Sequence, residues 1–354
     1  MENNTRLGAS NKKCQGCGGD LIFNPKTRKL NCEKCGSEYD FNMVKRIDKL
    51  PYTRGLDNQG LLNAWASEAK ILKCDTCGAN IELIGREVSK KCPYCESSYV
   101  ADINAFPCLK PNAVIPFAFD EMGALDAFKQ GIKKKFFAPS AFKKRLPKNQ
   151  IYGVYVPSFN FDMDTRTTYR GVLERKVTVK RGKETVVKYE RFNIKGVQDM
   201  IHRNFVIESS DNLDDKQVTS LLPYDFDESY EYNENFIRGH SSRYYEDNLD
   251  KCHDLAKQKI DENIKQFILR KYDYDRVISF EASTIYSNEK YIYRLLPLYK
   301  FEFDYKKKKY IVVMNGQSGK IGKGLPVSPL KVSFVVLLVL ILIVLLVILM
   351  SMGE

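Results

Sequence analysis

A four-cysteine frame that occurs twice constrains this chain more than anything else in it. "CQGCGGDLIFNPKTRKLNCEKC" runs from Cys14 to Cys35 and "CDTCGANIELIGREVSKKCPYC" from Cys74 to Cys95, each with 14 residues between its two CxxC pairs. A tetrahedral zinc ion takes four thiolates at about 2.3 Å, and a CxxC on a tight turn offers two of them to one point. Cys14, Cys17, Cys32 and Cys35 therefore form one candidate ligand set, and Cys74, Cys77, Cys92 and Cys95 a second. Gly18, Gly36 and Gly78 directly follow ligand cysteines, where the backbone must turn under the metal, and Glu96 breaks that pattern. With four protein ligands each, such centres hold structure and leave no coordination position open for catalysis.

Other uses of cysteine weigh less. Disulfides belong to oxidising compartments, and "MENNTRLGASNKK" lacks the apolar core of a secretory signal. Iron in a four-thiolate site uses similar CxxC pairs, so the choice between zinc and iron stays open on chemistry alone. Cys108 and Cys252 stand apart and read as small apolar residues.

The repetition extends past the ligands. At an offset of 60, "CGSEYDF" (Cys35–Phe41) lies over "CESSYVA" (Cys95–Ala101), with Ser37 over Ser97 and Tyr39 over Tyr99. These are two copies of one small β module, placed at 1–50 and 74–106. In the intervening 51–73, "GLLNAWASEAKILK" sets Leu61, Leu62, Trp65 and Ala69 at helical spacing, which predicts a helical linker that buries Trp65.

Residues 107–325 change character, and at 44% hydrophobic with 21 Tyr and 20 Phe the chain can bury a core. Met122, Leu125, Phe128 and Ile132 predict one face of a helix that Pro139 closes, with acids at its start and Lys133–Lys135 at its end, as the helix dipole favours. "VYVPSFNFDMD" alternates Phe159, Phe161 and Met163 against Asn160, Asp162 and Asp164, the pattern of a strand with one buried face. "KVTVKRGKETVVKYE" predicts a hairpin turning near Arg181 and Gly182. "LLPLYKFEFDY" repeats the first strand: Pro297 matches Pro157, Tyr299 matches Phe159, Phe301 matches Phe161, and Glu302 and Asp304 match Asp162 and Asp164. Paired acids two apart suit a metal or acid/base work, but they also lie where a wet strand face would put them. A second helix is predicted with Cys252, Leu255, Ile260, Ile264, Phe267 and Ile268 inward, which makes the whole an α+β domain.

The chain carries a net charge of +12, which favours an acidic partner. Its densest basic run is Lys129, Lys133, Lys134, Lys135, Lys143, Lys144, Arg145 and Lys148, with Phe136, Phe137 and Phe142 interleaved and no acid between. That run is a candidate site for phosphate or lipid headgroups, and equally a solvated helix end with a basic loop. Enzyme signatures fail on particular positions. "NGQSGK" has Met314 where a phosphate loop needs its first glycine and Ile321 where it needs Ser or Thr, and "GHSSR" lacks the last glycine of a nucleophile elbow. His202, His240 and His253 show no metal or triad spacing.

Val332–Met350 is a 19-residue run with Ser333 as its one polar member, long enough to cross a bilayer of about 30 Å. Lys320, Lys323 and Lys331 precede it and no basic residue follows. The positive-inside rule then places residues 1–331 in the cytoplasm, as in a tail-anchored protein of the cell membrane. A reducing cytoplasm suits metal thiolates over disulfides.

Together, "CGANI", "KKCPYCESSYV", "NAVIPFAFDEMGALDAFKQGIKKKFFAP", "GVYVPSFNFD", "LPYDF" and "LLPLYKFEFDYKKKKYIVVMNGQSGKIGKGLPVS" ahead of a span resemble the bacterial membrane-anchored zinc-ribbon proteins. Those are often labelled as carrying a basal-transcription-factor-B-type ribbon, or by transfer as primosomal replication-restart helicases. The resemblance runs from Cys14 nearly to the end and implies the zinc-ligand role for all eight paired cysteines. It implies partners in envelope maintenance, including phage-shock-protein-A-like and flotillin-like scaffolds, and implies no catalytic residue. No Walker A motif supports a helicase. The sequence thus points to a non-enzymatic membrane adaptor whose ribbons, folded by two zinc ions, bind cytosolic proteins. The alternative is a membrane-tethered nucleic-acid binder, for which stacking aromatics are few: Phe23, Tyr39, Tyr94 and Tyr99.

Overall fold

A computed structural model of the chain describes residues 5–6, 12–45, 47–56, 60, 63, 70–74, 76–83, 86–95, 97–101, 108–144, 151–181, 184–210, 215–306 and 308–351. Strand β1 (Thr5–Arg6) is followed by the first ribbon, in which β2 (Leu21–Asn24), β3 (Lys29–Cys32) and β4 (Glu38–Tyr39) form a three-stranded sheet. Leu21 and Phe23 alternate with Ile22 and Asn24, so one face of β2 is buried. Next come β5 (Leu50–Pro51), β6 (Lys70–Lys73), β7 (Asn80–Leu83), β8 (Glu87–Lys91) and β9 (Ser98–Val100). The expected linker helix falls largely outside the described residues, Trp65 with it, although Gly60 and Asn63 are helical. Its C-terminal part, Lys70–Lys73, is instead a strand, because β7 pairs with it from Lys73↔Asn80 to Lys70↔Leu83.

The rest of the chain, up to its last helix, is mainly β. It contains β10 (Ala113–Val114), helices α1 (Glu121–Lys134) and α2 (Ser140–Lys144), β11 (Ile151–Arg181), β12 (Glu184–Glu208), α3 (Asp215–Leu221), β13 (Tyr230–Glu231), α4 (Glu234–Ile237), β14 (Ser241–Arg243), α5 (Leu249–Leu269), β15 (Arg276–Tyr305) and β16 (Lys308–Asn315). A ten-stranded sheet runs β13-β10-β15-β11-β14-β8-β9, with β12 beside β11, and β16 and β5 beside β15. The second ribbon thus contributes β8 and β9 to the main sheet. The first ribbon docks on α4 through Phe23 and Phe41, whose rings meet Phe236 at 5.3 and 5.0 Å.

This sheet is built from two matching halves, and the duplicated strand motif is only part of the repeat. β10 lies parallel to β15 at Arg294 and Leu295, and β14 lies parallel to β11 at Val154 and Tyr155, the matching positions. Helices α1 and α5 begin seven residues after the equivalent paired residues Val114 and Ser242, capped by Asp120 and Asn248. Asp120 accepts from Gly123 N–H and Asn248 from Lys251 N–H, the equivalent donor. Ala124, Phe128 and Ile132 of α1 are buried, as are their counterparts Cys252, Ala256 and Ile260 of α5. Each long strand then pairs with its own return strand, starting at Ser158↔Glu208 in one half and Leu298↔Asn315 in the other.

Three expectations about faces change. Met122 is 78% exposed and Phe267 43%, because the inward stripe of α1 is centred on Ala124, Phe128 and Ile132 and that of α5 on Cys252, Ile260, Ile264 and Ile268. Asn160 and Asp162 are buried, not wet. The sheet has a second covered face, on which Val156, Leu296 and Leu298 pack with Leu221 and Tyr224. Asp162 meets Lys49 Nζ at 2.5 Å and accepts from Asn204 N–H, so this acid is satisfied by structure, and the paired acids gather no ligand set among the described residues.

Beyond Asp164, β11 continues as a long arm whose inner face stays buried, with Tyr169, Leu173 and Ile194 in the same core cluster as Ile264 and Ile268 of α5. It keeps β15 on one side to Glu174 and β12 on the other to Arg181, and the hairpin closes at Arg181↔Glu184, where the turn is expected. A 31-residue strand spans about 100 Å. The last helix, α6 (Pro329–Ser351), holds the apolar run. Its 23 residues span about 35 Å, none of its apolar 18-residue stretch Pro329–Leu346 is buried, and by length and composition it can cross a membrane.

Candidate metal centres

The eight paired cysteines converge on two points. The four Sγ atoms of Cys14, Cys17, Cys32 and Cys35 lie within 4.8 Å of one another, and so do those of Cys74, Cys77, Cys92 and Cys95. Cys14–Cys35 and Cys17–Cys32 stand 3.6 and 3.5 Å apart, and Cys74–Cys95 and Cys77–Cys92 3.6 and 3.9 Å. A zinc ion with four thiolates at about 2.3 Å requires sulfurs about 3.8 Å apart, so both clusters fit the ion. The donor set is two four-cysteine clusters compatible with two zinc ions.

Local backbone geometry makes each knuckle. In the first ribbon Cys14 N–H donates to Gly19 O and Gly18 N–H to Cys14 O, and in the second Cys74 N–H donates to Ala79 O and Gly78 N–H to Cys74 O. Gly18, Gly36 and Gly78 take φ of 69°, 75° and 74°, the left-handed turn anticipated under the metal. The first cysteine of every CxxC (Cys14, Cys32, Cys74, Cys92) is buried and the second is more open, so each metal is sealed toward the core side.

The two centres differ in the groups around the ligands. Tyr39 Oη lies 3.2 Å from Cys14 Sγ, and the hydroxyl bond it donates holds that thiol down to about 6. At Cys74 burial works upward, but Ser97 Oγ at 3.2 Å and the backbone N–H groups of Cys77 and Thr76 outweigh it, and this thiol too falls to about 6. Ser37 and Ser97 each reach the last cysteine of their ribbon, Cys35 and Cys95, at 3.1 Å. Tyr99, the counterpart of Tyr39, is buried with no hydrogen-bond partner for its hydroxyl among the described residues. Such partners orient the ligands and tune their basicity. Ligand spacing alone does not reveal Tyr39 and Ser97, although their registers, Ser37 over Ser97 and Tyr39 over Tyr99, are visible in the repeat.

Lys129, Lys133, Lys134 and Lys135 lie on the C-terminal turns of α1 and just beyond, Lys143 and Lys144 are in α2, and Arg145 and Lys148 fall outside the described residues. Lys129 pairs with Asp126, and Lys143 Nζ donates to Lys133 O, whereas Lys133, Lys134 and Lys135 are exposed. The three histidines lie apart: His202 contacts Thr165, His253 bonds Glu289 at 2.5 Å, and His240 stacks on Phe117.

Residues 9–40 match the model of a zinc ribbon domain family. The chain is also similar to the uncharacterized protein YdjG of Bacillus subtilis (strain 168), 25% identical over 323 residues that cover 91% of each chain. No solved structure matches it.

Proposed function

We propose that this chain is a non-enzymatic, membrane-anchored adaptor. In this reading α6 crosses the cell membrane once, residues 1–331 lie in the cytoplasm, and the ribbons and the arm bind cytosolic proteins in envelope maintenance or stress. What carries it is where large apolar side chains stand in water. Tyr94 on the second knuckle is 73% exposed, and along the arm Tyr189, Val197, Ile201 and Ile285 are 52–70% exposed. The four on the arm share the outer face of the sheet, and exposed apolar side chains gathered on one face mark interaction surfaces. Both metal sets are filled by four cysteines, which suits centres that stiffen knuckles rather than react. Phage-shock-protein-A-like or flotillin-like scaffolds remain the partners that the family resemblance implies.

A nucleic-acid partner is the second reading, favoured by exposed Arg175, Lys176, Lys188 and Lys195 on the same arm. A photo-crosslinking residue placed at Tyr94 or Tyr189 of the full chain, in its own membrane, separates the two. Protein adducts from either position are the expected result; nucleic-acid adducts would favour the second reading, and no adduct at either would overturn the adaptor. Anchoring has its own test. The full chain should stay in the membrane pellet through alkaline carbonate and high salt, and deleting residues 332–354 should release it; extraction of the full chain would end the membrane reading.

A further inference from the structure

We infer that the loop between α1 and α2, with Phe136 and Phe137 at its tip, is a second membrane contact: the two rings seat in the bilayer interface beside the span while Lys133, Lys134 and Lys135 meet anionic lipid headgroups. The inference rests on the membrane-anchored reading above.

Its basis is that the residues entering α6 are bonded to this loop. Ser328 N–H donates to Phe137 O at 2.8 Å, and Lys331 Nζ donates to Phe136 O at 3.0 Å and to Ala138 O at 2.9 Å. Three consecutive carbonyls of the loop are thereby held by the start of the helix. The Lys331 ammonium also lies 5.6 Å from the centre of the Phe136 ring. The uninterrupted apolar run begins one turn later, so the loop is fixed at the level where the bilayer begins.

At that level its composition fits the interface. Phe136 is 56% exposed and Phe137 44%, packed edge to face at 5.4 Å, while Ala138 and Phe142 are buried and hold the loop from behind. Leu330 and Phe334 on the first turns of α6 are also exposed. Aromatic rings over apolar side chains at the foot of a span form an interfacial belt, and lysines beside them complement an anionic leaflet. Lys133, Lys134 and Lys135 have no acidic partner among the described residues, unlike Lys129. The span favours a lipid surface over a soluble polyanion, because it holds these charges at the headgroups.

The test uses the full chain in nanodiscs of neutral lipid or of neutral lipid mixed with phosphatidylglycerol. Phe136→Trp and Phe137→Trp are compared with the unsubstituted chain, whose Trp65 supplies the background. Lipids brominated near the carbonyl end of the acyl chain should remove most of the added emission, more completely in anionic discs. Changing Lys133, Lys134 and Lys135 to Gln should abolish that difference. Unchanged zinc content shows that each variant is folded. Added emission that brominated lipid leaves untouched, in a chain that has entered the discs, would overturn the inference while leaving the anchor standing. Equal quenching in both disc types would overturn the role of the lysines. A chain that does not enter discs at all would remove the anchored reading, and this inference with it.

Discussion

Val156 and Leu296 pair across the centre of the large sheet, and each occupies the other's place in the opposite half. One residue further on, the same backbone bond is made in both halves by different residues. Pro157 O accepts from Ser209 N–H at 3.2 Å, and Pro297 O accepts from Gly316 N–H at 2.9 Å. Two halves that share a backbone plan need not tolerate the same side chains.

Gly316 illustrates this. A Cβ there would meet the Phe117 ring at 2.6 Å and Pro297 Cβ at 2.9 Å, both in the core. Gly316→Ala should cost about 1–3 kcal/mol by overpacking. Ser209→Ala at the matched position removes one hydroxyl bond to Pro157 O and should cost about 1 kcal/mol. Denaturant titration of the two variants checks the order, and equal losses would contradict it.

The two tyrosines in register should part company in the same way. Tyr39→Phe removes the hydroxyl on Cys14 and should weaken zinc at the first centre by about 10–100-fold in chelator competition. Tyr99→Phe should leave the second centre unchanged, since no cysteine holds that hydroxyl, whereas Ser97→Ala should weaken it. A metal effect from Tyr99→Phe would show that the second centre is built like the first.

His240 should shape the acid limb of stability. It is buried against Phe117 and Tyr155 with neither ring nitrogen bonded among the described residues, and burial, helped by Lys91, holds its pKa down to about 3. An unfolded histidine titrates near 6.5, so the unfolded chain binds the proton first. The stability from the neutral ring is complete above about pH 6.5 and is lost as pH falls from there toward 3, by about 1.4 kcal/mol per pH unit. His240→Gln should flatten the limb by that slope. Zinc loss in acid is common to both chains and cancels in the difference. Parallel limbs would show that His240 titrates normally in the folded protein.

The parts legible in the sequence are those set by local rules. The cysteine frames need only ligand spacing, the span only its length and apolarity, and the hairpin only Arg181 and Gly182 between alternating strands. Half of the duplication is also visible, because Pro157 and Pro297 keep their identity. The helical half is hidden: Ala124, Phe128 and Ile132 share burial with Cys252, Ala256 and Ile260, yet only isoleucine is common to both. The longer α5 also shifts the register between the helices and the strands. Alternation along β11 shows one buried face, but nothing local to Asn160 or Asp162 announces that Lys49 and the layer around Tyr224 cover the other. The α1–α2 loop reads in sequence as a basic run, and its seat against Ser328 and Lys331 joins residues too far apart in the chain for pattern to reveal.

Whether two closed four-cysteine centres each hold one zinc ion is decided most directly by metal analysis of the full chain purified in detergent. It should carry two zinc ions and no iron, and the Cys14→Ser/Cys17→Ser variant should keep one, on Cys74, Cys77, Cys92 and Cys95. One zinc ion or none in the unsubstituted chain, or iron in place of zinc, would contradict that expectation.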